Sequence, residues 1–290
     1  MARTQFDERP IHSIVMGTPD AERSTPPDVE ELLNLASDLA RDAAEVHAEG
    51  RRMVVRVEEK GSPFNLVTEI DRRAERAVVD GILATRPDDG ILGEEGTSRE
   101  GTSGVRWVID PLDGTANFVY GYPAYTVSIG IEIGGEPVAG VVFDTGRGVL
   151  FRGARGATAT ADGEPIAASR NTDVSTAMLA TGFSFDPAVR ERQGAIVARL
   201  LPRVRDVRRS GAASVDLCAL ACGAVDAYFE AGLAPWDVAA GMVIAEAAGA
   251  TVLTGTVAGQ PGIALIGANP RLLAALASLL RDAGFELTAG

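Results

Sequence analysis

The sequence predicts an α/β (α+β) fold in which helices and sheets stack in layers. Three observations carry that expectation. Segments with apolar residues at i, i+3 and i+4 alternate in blocks with short strand-like runs. Hydrophobic residues make up 46% of the 290 and charged residues 23%, enough for one large or two intimately packed domains. No repeat, long linker or low-complexity stretch interrupts the chain between Asp28 and Ala283.

Helical spacing begins at Asp28, with Leu32, Leu33, Leu35, Ala36, Leu39 and Ala40 recurring turn by turn and the pattern continuing through Ala48. A second helix is expected from about Arg72 to Thr85, led in by Thr68-Glu69-Ile70-Asp71 and followed by Pro87. Strands follow at Arg106–Ile109, Ala124–Ile133 and Glu136–Asp144, the last two joined by a Gly134-Gly135 hairpin turn. Val149–Arg152 reads as another strand and Asp162-Gly163 as a tight turn. Beyond a short apolar run at Met178, a helix is expected from about Pro187 to Leu201, another at Val215–Cys222 and a strand at Ala227–Glu230. Trp236–Ala248 is almost wholly apolar and reads as a buried helix, whereas Leu272–Ala283 is amphipathic. Residues 1–28 carry Pro10, Pro19, Pro26 and Pro27 among scattered charges. They are expected to form a disordered or loosely attached leader, neither signal peptide nor membrane span.

A net charge of −13 and a pI near 4.7 argue against a nucleic-acid partner, which needs a basic face. No membrane association is expected either. Any phosphate chemistry on so acidic a chain calls for a cation between protein and anion. The two cysteines, Cys218 and Cys222, are too few for a disulfide framework and fit a cytoplasmic compartment. Their i,i+4 spacing places both on one helix face, as buried structural thiols.

The most informative segment is Trp107-Val-Ile-Asp110-Pro-Leu-Asp113-Gly-Thr115-Ala-Asn117-Phe118. A buried-looking strand runs into Asp110, and a second carboxylate follows three residues later. Two acids just past a strand end either make a cap and a turn or share a pocket as oxygen ligands for a hard cation such as Mg²⁺. Gly114 and Thr115 then open the next element with backbone N–H groups free for an anion. Gly93-Glu94-Glu95-Gly96 is either an exposed acidic loop or a further ligand source. Asp237 opens an apolar helix, capping it or standing beside a cation, and Thr68-Glu-Ile-Asp71 allows the same two readings. Only two histidines occur, His12 in the leader and His47, which is expected on a solvated helix face. A Ser-His-Asp hydrolase therefore lacks its base. Neither cysteine has an arginine six positions on, and no Gly-x-x-x-x-Gly-Lys-[Ser/Thr] or Gly-x-Gly-x-x-Gly occurs. Elimination leaves metal-activated water as the nucleophile.

The Trp107–Phe118 segment resembles the inositol monophosphatase signature. Pro235-Trp-Asp-Val-Ala-Ala-Gly241, ahead of Glu246-Ala-Ala-Gly-Ala250, resembles that family's second signature. Gly93-Glu-Glu-Gly and Val67-Thr-Glu-Ile-Asp71 match its upstream pieces in order, so the resemblance covers roughly Leu32 to Leu253. It implies a layered α-β-α-β-α sandwich of the inositol monophosphatase / fructose-1,6-bisphosphatase type and a homodimer. Residues 29–152 would form an N-terminal α+β metal-binding half, and 153–290 a C-terminal α/β half completing the active site. It also implies hydrolysis of a small phosphorylated polyol with two to three Mg²⁺ per site. Glu94, Asp110 and the Leu112 carbonyl would hold one ion, Asp110, Asp113 and Asp237 a second, and Glu94 would contribute to a third. Asp71 and Thr115 match positions that orient and deprotonate water, with Glu94 completing the catalytic set, and Gly114 and Thr115 cradle the phosphate. Ala213 and Glu230 match polyol contacts, and Lys60 a loop lysine. Arg208-Arg209-Ser-Gly-Ala-Ala-Ser-Val-Asp216 resembles the corresponding segment of bacterial members. Ala116 departs from the threonine or valine of many members, and the leader has no counterpart.

Overall fold

A computed structural model describes residues 27–53, 55–60 and 65–288. The expected leader lies outside the described residues except for Pro27 and Asp28. Asp28 caps helix α1 (Val29–Gly50) by accepting from the Glu30 amide. The antiparallel pair β1 (Val57–Glu59) and β2 (Leu66–Thr68) leads into α2 (Glu69–Thr85). Eight strands then form one sheet: β3 (Gly90–Gly93), β4 (Ser98–Arg99), β5 (Val105–Asp113), β6 (Thr126–Ile133), β7 (Glu136–Asp144), β8 (Val149–Ala154), β9 (Thr160–Ala161) and β10 (Glu164–Pro165). Their order is β10-β9-β8-β7-β6-β5-β3-β4. The short helix α3 (Thr115–Tyr120) lies between β5 and β6.

A five-stranded sheet of order β12-β11-β13-β15-β14 follows, made of β11 (Met178–Thr181), β12 (Asp206–Arg208), β13 (Ala227–Leu233), β14 (Thr251–Val257) and β15 (Gln260–Ala268). Its helices are α4 (Pro187–Leu200), α5 (Ala213–Ala221), α6 (Pro235–Ala247) and α7 (Pro270–Ala283). Strands β14 and β15 were not expected from the sequence. The first sheet also runs through Pro165, beyond residue 152.

Period-two alternation sorts the strands into layers. Trp107, Ile109, Ile129, Ile131 and Val141 face α1 and α2, meeting Leu32, Leu39, Val78 and Ile82. On the opposite face Val142 and Phe151 meet Leu217 of α5 and Ile244 of α6, which Tyr228 and Leu265 cover from the second sheet. Leu179, Phe229 and Ile266 then pack on Leu200, Leu276 and Leu280 of α4 and α7. The result is a five-layer α-β-α-β-α sandwich. Among the described residues, no helix is long and apolar enough to cross a membrane.

Helix α6 lies close against the first sheet. Gly130, Gly140 and Gly153 are register partners across β6, β7 and β8. A Cβ at Gly130 would stand 2.6 Å from the Ala239 Cβ, one at Gly140 2.5 Å from the Ala240 Cα, and one at Gly153 3.0 Å from the Ile244 Cα. The glycine row therefore sets the height of α6, and with it the position of Asp237 in its first turn.

Two side-chain expectations are corrected. Cys218 is buried, but Cys222 is exposed, because α5 ends at Ala221 and leaves it in the cap position. His47 is fully buried, since it continues the apolar stripe Ala40, Ala43, Ala44 of α1 rather than its charged face.

Candidate active site

Residues three apart on a regular strand point to opposite faces, so Asp110 and Asp113 should diverge. They do not, because β5 bulges. Asp110 pairs with Ser128 and Asp113 with Thr126, so three steps on one strand match two on its neighbour. The extra residue turns both carboxylates to one side. They line a cleft of about 470 Å³ together with Glu94, Leu112, Gly114, Thr115 and Asp237. Lys60, Ala116 and Arg209 share its wall.

Each side chain is placed by a different element. Glu94 follows β3, on a turn clamped by buried Glu75, whose carboxylate accepts from the Glu95 amide (2.8 Å), the Thr97 amide (3.1 Å) and the Thr97 hydroxyl (2.6 Å). The Lys60 ammonium reaches Glu95 at 2.8 Å and Glu94 at 3.3 Å. Asp110 Oδ1 accepts from the Leu112 amide at 3.0 Å. Asp113 Oδ2 accepts from the Ser214 amide (2.8 Å) and hydroxyl (2.5 Å), and that hydroxyl also meets Thr126 Oγ1 at 2.6 Å. Asp237 Oδ2 accepts from the Ala234 amide at 2.7 Å.

Gly114 adopts φ +94°, a left-handed turn that suits a residue without a side chain, and no side chain caps the N-terminus of α3. Asp71 does not line the cleft. It closes a capping box with Thr68, whose amide and hydroxyl donate to Oδ2 at 2.8 and 2.6 Å, and it touches the cleft through Thr115, whose hydroxyl donates to Oδ1 at 2.8 Å. Burial pushes Asp71 up to about 6 against the donation of those partners.

The electrostatics identify the cleft as strained. Burial, then the charges of Glu94, Asp113 and Asp237, push Asp110 well above the usual carboxylate range. Burial and Asp113 do the same to Asp237. Glu94 is raised by burial despite Lys60, and Asp113 by burial despite the Ser214 donors. The donor set is all oxygen, four carboxylates and one main-chain carbonyl, which suits a hard divalent cation rather than a soft one. As the side chains stand, no three His, Cys, Asp or Glu among the described residues converge closely enough to hold an ion. Glu94 and Asp110 stand within hydrogen-bond reach of each other, and the other oxygens are turned to the amides, hydroxyls and ammonium just named, so the set fits a cation by chemistry and position.

A neighbouring cavity of about 200 Å³ shares Asp113, Arg209 and Asp237 with the cleft and adds Ala213, Asp216 and Glu230. Glu230 Oε2 accepts from the Tyr228 hydroxyl at 2.6 Å, and burial pushes the carboxyl up to about 7. Asp216 is pushed up to about 8, first by burial and against a Ser210 hydrogen bond. Sequence reasoning gave Asp216, Ser214 and Glu75 no role. Ser214 and Glu75 meet their partners across 101 and about 20 residues of chain, and no local spacing encodes that.

Known proteins resemble this chain over most of its length. The profile described as "Inositol monophosphatase family" matches residues 28–284, a longer stretch than the motifs alone mark out. Inositol-1-monophosphatase SuhB of Mycobacterium tuberculosis (strain ATCC 25618 / H37Rv) is 41% identical over 286 residues, covering 90% of this chain and 98% of that protein. A protein named Nus factor SuhB, from Escherichia coli (strain K12), is 37% identical over 269 residues, with 87% and 96% covered. The solved inositol monophosphatase from Anabaena (Nostoc) sp. PCC 7120 superposes with a TM-score of 0.75 at 33% identity, over 88% of this chain and 96% of that one. Fold, cleft and sequence thus lead to one conclusion, that this chain belongs to the inositol monophosphatase family.

Proposed function

We propose that the chain is a Mg²⁺-dependent phosphomonoesterase that releases phosphate from myo-inositol 1-phosphate or a closely related polyol monophosphate. The observation that carries this reading is the group of four buried or half-buried carboxylates around a single cleft, in which the charges of Glu94, Asp113 and Asp237 raise Asp110 and those of Asp113 and Glu94 raise Asp237. Glu94, Asp110 and the Leu112 carbonyl would hold one ion, Asp110, Asp113 and Asp237 a second, and Glu94 would contribute to a third. When bound, Mg²⁺ supplies positive charge to the phosphate and makes water acidic enough to attack at neutral pH.

The protein's own groups do the positioning. The Thr115 hydroxyl is oriented by Asp71, so it can pass a proton from the attacking water to a carboxylate whose pKa near 6 suits a base at neutral pH. The uncapped amides at Gly114 and Thr115 face the phosphate, and Arg209 adds charge to the same wall. The polyol fits the neighbouring cavity, where Ala213 leaves room and Glu230 keeps Oε1 for a hydroxyl.

The test is phosphate release from myo-inositol 1-phosphate with and without Mg²⁺, beside fructose 1,6-bisphosphate, histidinol phosphate and 3′-phosphoadenosine 5′-phosphate. Metal-dependent release with preference for the inositol ester is expected. A clear preference for any of the other three overturns the substrate assignment, and metal-independent release overturns the mechanism. The relatives named Nus factor support a second reading, a regulatory protein that keeps the fold and acts through a partner. The mutual repulsion in the cleft favours the enzyme, because a purely structural role gains nothing from acids that destabilise one another.

A further inference from the structure

His47 is a buried imidazole that the reaction outlined above does not use. It lies on α1, outside the cleft lining, and is fully shielded from solvent. Its ring packs among Phe118 and Tyr125, with centroids 6.0 Å away in each case. A leucine would fill such a space without desolvating two ring nitrogens. Both nitrogens are nevertheless engaged, by groups 64 and 98 residues away: Nε2 is 2.9 Å from the Pro111 carbonyl and Nδ1 is 3.1 Å from Thr145 Oγ1.

These partners fix the tautomer. A carbonyl only accepts, so Nε2 carries the proton, and in the neutral ring Nδ1 then accepts from the Thr145 hydroxyl. Burial depresses the imidazole to about 4, consistent with a neutral ring at physiological pH.

The Pro111 carbonyl and the Leu112 N–H belong to one peptide unit, which is planar and rigid. His47 holds the oxygen of that plane, while its N–H donates to Asp110 Oδ1 at 3.0 Å. One ring on α1 thereby fixes the tilt of the peptide that aims Asp110 and starts the bulge leading to Leu112 and Asp113. We propose that His47 is a positioning residue for the carboxylate turn, holding the Pro111–Leu112 peptide plane and through it the orientation of Asp110. The consequence for metal affinity rests on the Mg²⁺ reading above, whereas the consequence for the turn does not.

Two arms test it. Hydrogen exchange without metal compares wild type, His47→Leu and His47→Gln. Gln presents a donor and an acceptor together, as the neutral ring does. The expected result is exchange in segment 110–115 at least about tenfold faster in His47→Leu, other core segments little changed, and near recovery in His47→Gln. The second arm titrates the same proteins with Mg²⁺ and follows tryptophan emission, since Trp236 lines the cleft beside Asp237 and the chain has only two tryptophans. About a tenfold weaker affinity is expected for His47→Leu, the usual scale for losing a group that orients a ligand, and less than about threefold for His47→Gln.

If His47→Leu does not fold, Thr145→Val replaces it. Removing the hydroxyl takes away the ring's second anchor while the bond to the Pro111 carbonyl stays, and a smaller loosening of the same segment is expected. Nitrogen-15 NMR of the ring, with His12→Ala to separate the two histidines, should show Nε2 protonated at pH 7. Exchange that stays at the wild-type rate, that rises evenly through the core, or that Gln fails to restore overturns the proposal, as does a proton on Nδ1. Wild-type protein that binds no Mg²⁺ overturns the metal reading, and the exchange arm still decides the histidine.

Discussion

Asp89 and Asp110 are equally hidden, at 1% and 2% exposure, and both accompany neighbouring strands of one sheet. Their surroundings are opposite. Asp89 is saturated with donors: Ser103 Oγ at 2.6 Å, the Trp107 indole N–H at 2.8 Å and the guanidinium of Arg86. Asp110 has one amide and three acids, which push its affinity for protons upward. The first arrangement tethers a corner of the fold by satisfying a buried charge. The second leaves a charge unsatisfied and so has a use for a cation. Burial of an acid therefore carries little functional information by itself; the sign of its neighbours carries it.

The comparison can be broken by exchanging each acid for a neutral residue. The largest effect is expected for Asp110→Asn, which should lower kcat at least a thousandfold, about 4 kcal/mol, while leaving the metal-free protein as stable as before or more so. Steady-state phosphate release and thermal unfolding measure both, and activity within tenfold of wild type would contradict the site.

Next in size is the pH dependence of Asp216. Its folded pKa of about 8 lies above the ordinary 3.8, so the folded state binds the extra proton between those values. Acidification from pH 8 towards 4 should thus stabilise the fold through this group, and alkaline pH should cost it a few kcal/mol. Asp216→Asn should flatten that slope and raise stability at pH 8, as denaturant titration at several pH values would show. A variant that is less stable at pH 8 would place Asp216 with Asp89, among the acids that hold the structure.

The smallest effect is expected for Asp89→Ala. It leaves the Trp107 indole and Arg86 without their acceptor and should cost about 3 kcal/mol of stability, with kcat per folded molecule unchanged. A fall in kcat beyond about threefold would erase the distinction between the two acids.

Much of this was legible in the chain. The Gly134-Gly135 hairpin and the starts of α1, α4 and α6 follow from turn and cap chemistry, which is local, whereas α2 begins at Glu69, ahead of the expected Arg72, because Thr68 is its cap. The strands β14 and β15 were hidden by Gly255, Pro261, Gly262 and Gly267, which interrupt the alternation that marks a strand. Gly255 is tolerated because the chain passes close by, a Cβ there lying 2.2 Å from the Thr288 carbonyl. The cleft acids were readable as motifs, but their convergence was not. It depends on the β5 bulge and on Ser214, both products of strand register and tertiary packing. His47 could have been found, since its spacing from Ala40, Ala43 and Ala44 already put it on the buried stripe.

The glycine row beneath α6 has a further consequence, for how this protein tolerates change. In a saturation scan scored by activity, Gly130, Gly140 and Gly153 should stand out as strongly as residues that touch substrate, although each added Cβ would meet α6 and not the cleft. Drift is then restricted in a plane beneath the site as well as around it, and lineages altering the chemistry have more freedom in the loops than in the sheet that carries them.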